Sequence, residues 1–254
     1  MINGRFNLIK LLGEGRSKVF LCEDRFFPSQ KYAVKVLSSH TNKEEEETFY
    51  HEYTLLKIFS HPNIIKAYES GTILEVGADD KALGIARGNR FFILEYFDGQ
   101  SLLDVDFNAH PTLLSKVIGQ IGSFLSYLHL AKYLYLDLKF ENILCIQSKN
   151  DIIIKIVDFG LTQRADALLQ NIQRGTAYYI APEILQNKNI DHRVDLYALG
   201  ILLYRIVYGK FPFTAVDELK IYQSHLEEEF VFIDSKYFSS PVIKCIVKLL
   251  KKKS

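Results

Sequence analysis

The chain has 254 residues, of which 48% are hydrophobic and 24% are charged, and its formal net charge is +1. This is an ordinary globular profile, and the length is sufficient for a sizeable core or for two lobes. The near-neutral charge argues against nucleic acid as the principal partner, because binding to a phosphate backbone needs a concentrated basic surface. The basic run Lys251–Lys253 is terminal and is interpreted as a solvated tail.

The cysteines and the apolar runs indicate the compartment. Three cysteines are too few and too scattered for a disulfide framework or a zinc site, and Cys22 and Cys145 are expected to be small buried residues. The first five residues resemble no signal peptide. The longest apolar run, Leu196–Val207, is interrupted by polar residues and is too short to span a bilayer. We therefore expect a cytoplasmic chain that contains no membrane-binding segment.

The first part of the chain predicts mostly strands. Runs rich in β-branched and apolar residues predict them at 6–12, 18–22, 31–37, 64–69 and 90–96. Residues 42–59 have an acidic start and apolar residues at three- and four-residue spacing, which predicts a helix. Residues 77–89, rich in Gly, Ala and charge, predict an elongated hairpin loop.

The second part predicts mostly helices. Leu113–Leu130 has an amphipathic period, and Asp195–Tyr208 is almost entirely apolar, which predicts a buried helix. Between them, residues 143–146 and 152–157 predict a short β-hairpin. The chain therefore reads as an α+β fold with a β-rich first portion and an α-rich second portion.

Two short segments carry the residues that phosphoryl transfer needs. The first holds a potential proton acceptor (Asp137), a cation (Lys139) and an amide that can bind a metal (Asn142). The second is Asp158-Phe159-Gly160, where the glycine allows a sharp turn that can aim the carboxylate back at the first segment. A base, a cation and two oxygen ligands for a hard divalent ion are what phosphoryl transfer from a nucleoside triphosphate requires.

In these segments the chain resembles a eukaryotic-type protein kinase domain. Residues 137–142 match the family pattern D-x-K-x-x-N, and residues 158–160 match D-F-G. The resemblance implies a two-lobed kinase-like fold with an N-lobe at residues 1–97 and a C-lobe at residues 98–254. It also implies ATP and Mg²⁺ as cofactors in a cleft between the lobes.

The resemblance assigns the nucleotide contacts residue by residue. Lys35 would hold the α- and β-phosphates, pinned by Glu52, and the alternative is an outward, solvated lysine. The backbone of Glu95 and Phe97 would bond the adenine edge. The remaining nucleotide-binding positions are Gly13, Gly15, Val19, Ala33, Leu94 and Leu144.

The glycine segment departs from the family pattern. It is one residue shorter than the family loop and lacks the third glycine, and Lys18 takes up the space before Val19. The same residues would suit an ordinary tight hairpin. We expect a flap that is stiffer than usual or set differently.

The resemblance also assigns the chemistry. Asp137 would orient the substrate hydroxyl as a base, Lys139 would neutralise charge on the transferring phosphoryl group, and Asn142 and Asp158 would ligate Mg²⁺. Two positions differ from the family. Tyr135 replaces the usual His and is expected to pack against Phe159, and Leu136 replaces the common Arg.

The segment 175–183 resembles the substrate-docking loop and its A-P-E ending, which favours a protein substrate. Ser/Thr is favoured over Tyr, because Gly175-Thr176 is the Ser/Thr-type docking sequence and Lys139 lies two residues after the base. Asp195 would bond the backbone of the family's catalytic loop, here residues 135–142, and a simple helix N-cap is the alternative. The chain stops before the family's final helix, which we expect to be absent, and regulatory domains beyond Ser254 remain possible.

Three functions stay open: a Ser/Thr protein kinase, which is favoured, a pseudokinase scaffold, and a small-molecule phosphotransferase.

The family's Arg before the catalytic Asp helps to bind a phosphate on the activation segment. Here that residue is Leu136, and residues 163–174 contain no Ser, Thr or Tyr. The sequence therefore predicts activity without phosphorylation of this segment.

Overall fold

The computed structural model describes residues 1–38, 41–77, 81, 83–167, 176–188, 190–232 and 240–251. The chain forms two compact units, Met1–Asp98 and Gly99–Ser254. The first unit is built mainly on an antiparallel sheet and the second mainly on helices. The predicted α+β class is confirmed.

The described residues of the first unit include a five-stranded sheet and a helix. The strands are β1 (Phe6–Glu14), β2 (Ser17–Asp24), β3 (Phe27–Leu37), β4 (Ala67–Thr72) and β5 (Arg90–Glu95). They lie in the order β1-β2-β3-β5-β4, and every neighbouring pair is antiparallel. Helix α1 (Lys43–Ile58) begins with a reciprocal capping box between Asn42 and Glu45, which satisfies two backbone donors at its start.

The predicted strand at residues 64–69 was placed three residues too early. Ile64 and Ile65 are buried, but the Ile64 amide donates to the carbonyl of His61 in a turn, and β4 begins only at Ala67. Two adjacent apolar residues are buried equally well by a turn packed on the core, so their pattern resembled a strand. The other four predicted strands are present, with somewhat different ends.

The two faces of the first sheet have different roles because side chains alternate along a strand. On one face, here called the outer face, Val34 and Val36 of β3 join an apolar cluster. Ala33 and Lys35 lie on the opposite, inner face. The members of the outer cluster are Ile2, Phe6, Phe20, Cys22, Val34, Val36, Ile73, Ile85, Phe91 and Ile93.

The connection between β4 and β5 is more than a solvated hairpin loop. Ile73 and Ile85 are buried in the outer cluster, and the Ile73 amide donates to the Asn89 carbonyl at 2.8 Å. The predicted loop at 77–89 falls partly outside the described residues. Its described part closes the outer face of the sheet.

The second unit is organised around buried helices. Its helices are α2 (Pro111–Leu130), α3 (Pro182–Leu185), α4 (Arg193–Tyr208), α5 (Glu218–Glu227) and α6 (Ser240–Leu249). The strands β6 (Gln100–Ser101), β8 (Ile143–Gln147) and β9 (Ile152–Ile156) form one small sheet, and β7 (Tyr133–Leu134) pairs with β10 (Gln163–Arg164). The β8–β9 hairpin and the buried helix α4 are confirmed.

The chain packs closely on α4. A Cβ atom at Gly200 would lie 2.7 Å from the Leu250 side chain, so a larger residue there would have to displace that side chain. Cys22 and Cys145 are buried as expected, and burial raises the pKa of Cys22 to about 12 and that of Cys145 to about 11.

Among the described residues, no helix combines the length and the apolar character needed to cross a membrane.

Candidate active site

In the first unit, a buried ion pair joins the inner face of the sheet to α1. Lys35 Nζ lies 2.7 and 2.6 Å from the two carboxylate oxygens of Glu52, and the two side chains are 11% and 5% exposed. The lysine nitrogen also lies 5.8 Å from the ring centre of Phe92. The alternative of an outward, solvated Lys35 is therefore wrong.

The predicted nucleotide contacts on the strands share the inner face. Val19 of β2 lies directly opposite Lys35, and Gly13 of β1 lies opposite Val19. Ala33 lies opposite Leu94 of β5, and both residues are buried. The sheet register thus brings these four positions together around Lys35.

The glycine segment forms a tight hairpin. Strands β1 and β2 pair as far as Glu14 and Lys18, and the Gly15 amide donates to the Ser17 carbonyl at 3.0 Å. A Cβ atom at Gly13 or Gly15 would meet nothing within 4 Å, so the space around these glycines is open. Phosphate binding by this backbone stays a prediction.

Three predicted nucleotide contacts, Glu95, Phe97 and Leu144, remain to be placed. The Glu95 amide donates to the Lys66 carbonyl at 2.8 Å, and its carboxylate accepts a bond from the Lys66 amide at 3.2 Å. Phe97 is half-buried in the loop after β5. Leu144 is half-buried in β8, opposite Ser101. Their adenine contacts stay predictions.

In the second unit, the predicted base is held by its own loop. The two carboxylate oxygens of Asp137 lie 2.9 and 2.8 Å from Lys139 Nζ. The side-chain nitrogen of Asn142 donates to the Asp137 carbonyl at 2.9 Å and to Oδ2 at 2.7 Å. Because the Asn142 nitrogen makes both bonds, its amide oxygen is the atom turned away from the base, as a metal ligand requires.

The environment of Asp137 favours proton acceptance. Burial raises the pKa of its carboxyl group above the usual range, and the nearby charge of Asp158 acts in the same direction. Lys139 and Asn142 oppose this shift by stabilising the ionised form. A base needs a pKa closer to the working pH than an ordinary carboxyl group has, and this carboxyl group has been moved in that direction.

Asp158 directly precedes an aromatic anchor. Phe159 is fully buried, and its ring packs edge-on against Tyr135, with ring centres 5.3 Å apart, and against Phe124. The Tyr135 hydroxyl donates to the Val157 carbonyl at 2.6 Å. Tyr135 thus packs as expected and also ties the catalytic loop to the residue before Asp158.

Asp195 holds the backbone of the catalytic loop. Its carboxylate accepts bonds from the amides of Tyr135 at 2.9 Å and Leu136 at 2.8 Å, and His129 Nε2 lies 2.8 Å from Oδ2. The N-cap alternative is wrong, because α4 begins at Arg193, two residues before Asp195. The predicted bond to the loop is present.

The docking segment is described from Thr176 onward, so Gly175 lies outside the described residues. Tyr178 stacks on Phe211 with ring centres 4.3 Å apart, and Tyr179 meets the same ring edge-on. A small open pocket lies between this segment and the catalytic loop. Its lining includes Leu136, Lys139, Thr176, Tyr179, Ile180 and Val194.

Several features of the site had no signal in the sequence. Leu136 and Asp158 both have positive φ, 66° and 63°. His129 joins Asp195 although it lies 66 residues away in sequence. The hydroxyl bond of Tyr135 depends on where Val157 falls in space, so residue types alone could not predict it.

The oxygen ligands fit a hard cation that is shared with a nucleotide. Among the described residues, no cluster of three or more His, Cys, Asp and Glu side chains is arranged to hold a metal ion. The second unit offers instead the amide oxygen of Asn142 and the carboxylate of Asp158. Mg²⁺ is typically bound through one or two protein oxygens together with substrate phosphates, so this donor set fits it.

Comparison with known proteins defines the class. A family model described as a protein kinase domain matches residues 6–254, and the chain belongs to this family. Protein kinases generally use ATP and Mg²⁺.

The relatives are named as protein kinases, and their identity to this chain is modest. The chain is 32% identical over 231 residues to calcium-dependent protein kinase 4 of Plasmodium falciparum, a match that covers 87% of this chain and 40% of the relative. It is 30% identical over 241 residues to calcium/calmodulin-dependent protein kinase type 1 of Macrobrachium nipponense, covering 93% and 66%. It is 32% identical over 218 residues to serine/threonine-protein kinase Nek5 of Mus musculus, covering 82% and 31%. The chain thus spans less than two thirds of the length of each of these relatives.

Proposed function

We propose that this chain transfers the γ-phosphate of ATP to Ser or Thr hydroxyl groups of protein substrates. The observation that carries the proposal is the Asp137 carboxylate, which is buried, has a raised pKa, and is held by both Lys139 and Asn142. A carboxylate in this state is suited to receive the proton of a substrate hydroxyl.

Each residue of the proposed site has its own role in the transfer. Lys35, oriented by Glu52, would bind the phosphates of the nucleotide, and the amides of the glycine hairpin would cover them. Asp137 would orient the attacking hydroxyl, and the ammonium group of Lys139 would offset charge on the phosphoryl group. Most of the acceleration then comes from positioning, since phosphoryl transfer needs little covalent chemistry from the protein.

Asn142 and Asp158 would hold the metal ion of the nucleotide. Bound Mg²⁺ supplies positive charge that neutralises the phosphate oxygens during transfer. The protein's part is to fix the two oxygens. The Asn142 side chain is fixed by its two bonds to Asp137, and the Asp158 carboxylate accepts a bond from the Gly160 amide at 3.2 Å.

Two observations support a protein substrate. Residues 176–183 contain the docking-loop sequence that small-molecule kinases of related fold generally lack, and Tyr178 and Tyr179 are fixed there by Phe211. The relatives are named as protein kinases, and one of them as a serine/threonine-protein kinase.

The proposed enzyme would not need phosphorylation of its activation segment. Leu136 cannot pair with a phosphate, and it lines the pocket that faces Thr176. The sequence 163–174 offers no hydroxyl to modify. Treating the purified protein with phosphatase should leave its activity unchanged, whereas a large loss that maps to a phosphosite between Asp158 and Glu183 would contradict this point.

The test is incubation with γ-labelled ATP, Mg²⁺ and a generic basic protein, with Asp158→Asn as the control. Asn tolerates positive φ better than Ala, so this variant removes the metal-binding charge with little backbone strain. If the chain is a protein kinase, the wild-type protein labels the protein acceptor and the Asp158→Asn variant does not. A pseudokinase labels nothing, and a small-molecule phosphotransferase consumes ATP only when small alcohols or amines are added.

A further inference from the structure

The lysine that interrupts the glycine segment is bonded on the outer face of the sheet. Lys18 falls in the alternating series of Phe20 and Cys22, which lie in the outer cluster. Its Nζ donates to the backbone carbonyl of Leu83 at 2.8 Å and lies 3.1 Å from the carboxylate of Glu14. The side chain therefore leaves the inner face, where Val19 and Lys35 lie, unobstructed.

The carbonyl that accepts this bond belongs to an anchored piece of chain. Two residues after Leu83, the Ile85 side chain is 2% exposed in the outer cluster. The Ala86 amide donates to the Asn89 side chain at 2.7 Å, and the Gly88 amide donates to the Ile73 carbonyl at 2.7 Å. Residues 83–89, here called the brace, are thus fixed to the sheet.

A glycine in the brace makes room for the lysine. Gly84 has a φ of 75°, and a Cβ atom there would lie only 3.0 Å from Lys18 Nζ. Most other residues would be strained at this φ, and any side chain would press on the ammonium group. Gly84 is therefore an independent sign that the brace is shaped to receive Lys18.

The hairpin has little other side-chain support near its tip. The space around Gly13 and Gly15 is open, and β1 lies at the edge of the sheet. The backbone of β2 pairs with β3 as far as Ser17. Within the described residues, the bond from Lys18 is the tie that connects the end of the hairpin to the brace.

We propose that Lys18 is a positioning residue that fixes the glycine hairpin to the brace, so that the nucleotide phosphates meet a preset backbone. A loop that is already ordered loses less conformational entropy on binding, and affinity rises accordingly. This inference rests on the proposed use of ATP. It explains how a hairpin with one residue and one glycine fewer than the family loop serves the same purpose.

The test compares Lys18→Met with wild type, and Lys10→Met is the matched control. Lys10 is an exposed lysine on β1 for whose side chain the described residues show no hydrogen bond or ion pair. Lys18→Met should raise the KM for ATP about three- to tenfold, the range that the loss of one hydrogen bond gives, and leave kcat within about twofold. Lys18→Arg, which keeps a cationic donor, should restore most of the affinity. Lys10→Met should behave as wild type.

Amide hydrogen exchange gives a readout that needs no nucleotide. Exchange at residues 14–18 and 83–86 should be faster in Lys18→Met and in Gly84→Ala, and unchanged in Lys10→Met. If the wild type is active and Lys18→Met has the same KM for ATP and the same amide exchange rates, the positioning role of Lys18 is overturned and the proposed function is not. A wild type that binds no ATP would overturn the proposed function, and the nucleotide role of Lys18 with it.

Discussion

Asp195 holds Leu136 in a left-handed backbone conformation. The carboxylate accepts the Leu136 amide at 2.8 Å, and Leu136 has a φ of 66°, which is costly for a residue with a branched side chain. The next residue is the proposed base, Asp137. The buried carboxylate thus maintains a strained backbone immediately before the catalytic group.

Asp195→Asn should lower both stability and kcat. The amide keeps one acceptor, but its nitrogen would face a backbone amide or His129, so a buried donor loses its partner. We expect a loss of about 2–3 kcal/mol in the free energy of unfolding and about 10- to 100-fold in kcat, because a small misplacement of the base is expensive. Denaturant unfolding and steady-state assays measure these changes.

The control for this variant is Asp151→Asn, an exposed carboxylate that pairs with Lys116 at 2.8 Å. Surface pairs contribute little, so its unfolding and kcat should match wild type. An Asp195→Asn protein as active as this control would show that the bonds to Tyr135 and Leu136 do not position the base.

Lys35→Met should abolish phosphotransfer and also lower stability. Glu52 is 5% exposed, and removal of Lys35 leaves its charge buried, at a cost of about 2–4 kcal/mol. The double variant Lys35→Met/Glu52→Leu should recover much of the melting temperature without any activity. Lys43→Met breaks an exposed pair with Glu47 at the start of the same helix and should change neither quantity.

Calorimetry of these four proteins separates the two roles of Lys35. If Lys35→Met melts at the wild-type temperature, the ion pair does not stabilise α1. If it keeps wild-type turnover, the assignment of Lys35 to the nucleotide is wrong.

Asp137→Asn should melt at the wild-type temperature or above it at neutral pH. The pKa of Asp137 is raised in the folded chain, so its ionised form is less favourable in the folded state than in the unfolded state. This cost is fully present above the folded pKa and disappears as the pH falls to about 4, where the unfolded carboxyl group also becomes protonated. The gain from the substitution should therefore shrink on acidification.

Asp151 serves as the comparison, because its pKa is shifted in the direction opposite to that of Asp137. Its hydrogen bond with Lys116 lowers the pKa of Asp151, so removal of this carboxylate should not stabilise the chain at any pH. Melting curves from pH 4 to pH 8 compare the two variants. A clear loss of stability in Asp137→Asn at neutral pH would contradict the burial cost inferred for the base.

The sequence singled out the proposed chemical residues but not the contacts that hold them in place. The patterns around Asp137 and Asp158 point to the proposed site because few chemistries need those residue types in that order. The β-branched and apolar residues at 31–37 also predicted β3, the strand that carries Lys35. The early placement of β4 came from Ile64 and Ile65, since burial in a turn and burial in a strand select the same residues.

The hydrogen bonds that position the site residues were harder to predict, because they depend on contacts between residues far apart in the sequence. Lys18 was recognised as a departure from the family loop, but its acceptor is a backbone carbonyl, and any residue type provides one. The bond from the Tyr135 hydroxyl to Val157 also ends on a carbonyl. Such partners follow from the path of the chain and leave no trace in composition or spacing.

The most direct test of the proposed activity is the rate of γ-phosphate transfer to a Ser/Thr peptide by wild type and by Asp137→Asn. The variant keeps Lys35, Asn142 and Asp158, so it should still bind MgATP while it lacks the base. The proposed function predicts measurable transfer by wild type and a rate lower by about 10²- to 10⁴-fold in the variant. No transfer by wild type, or equal rates in the two proteins, would contradict it.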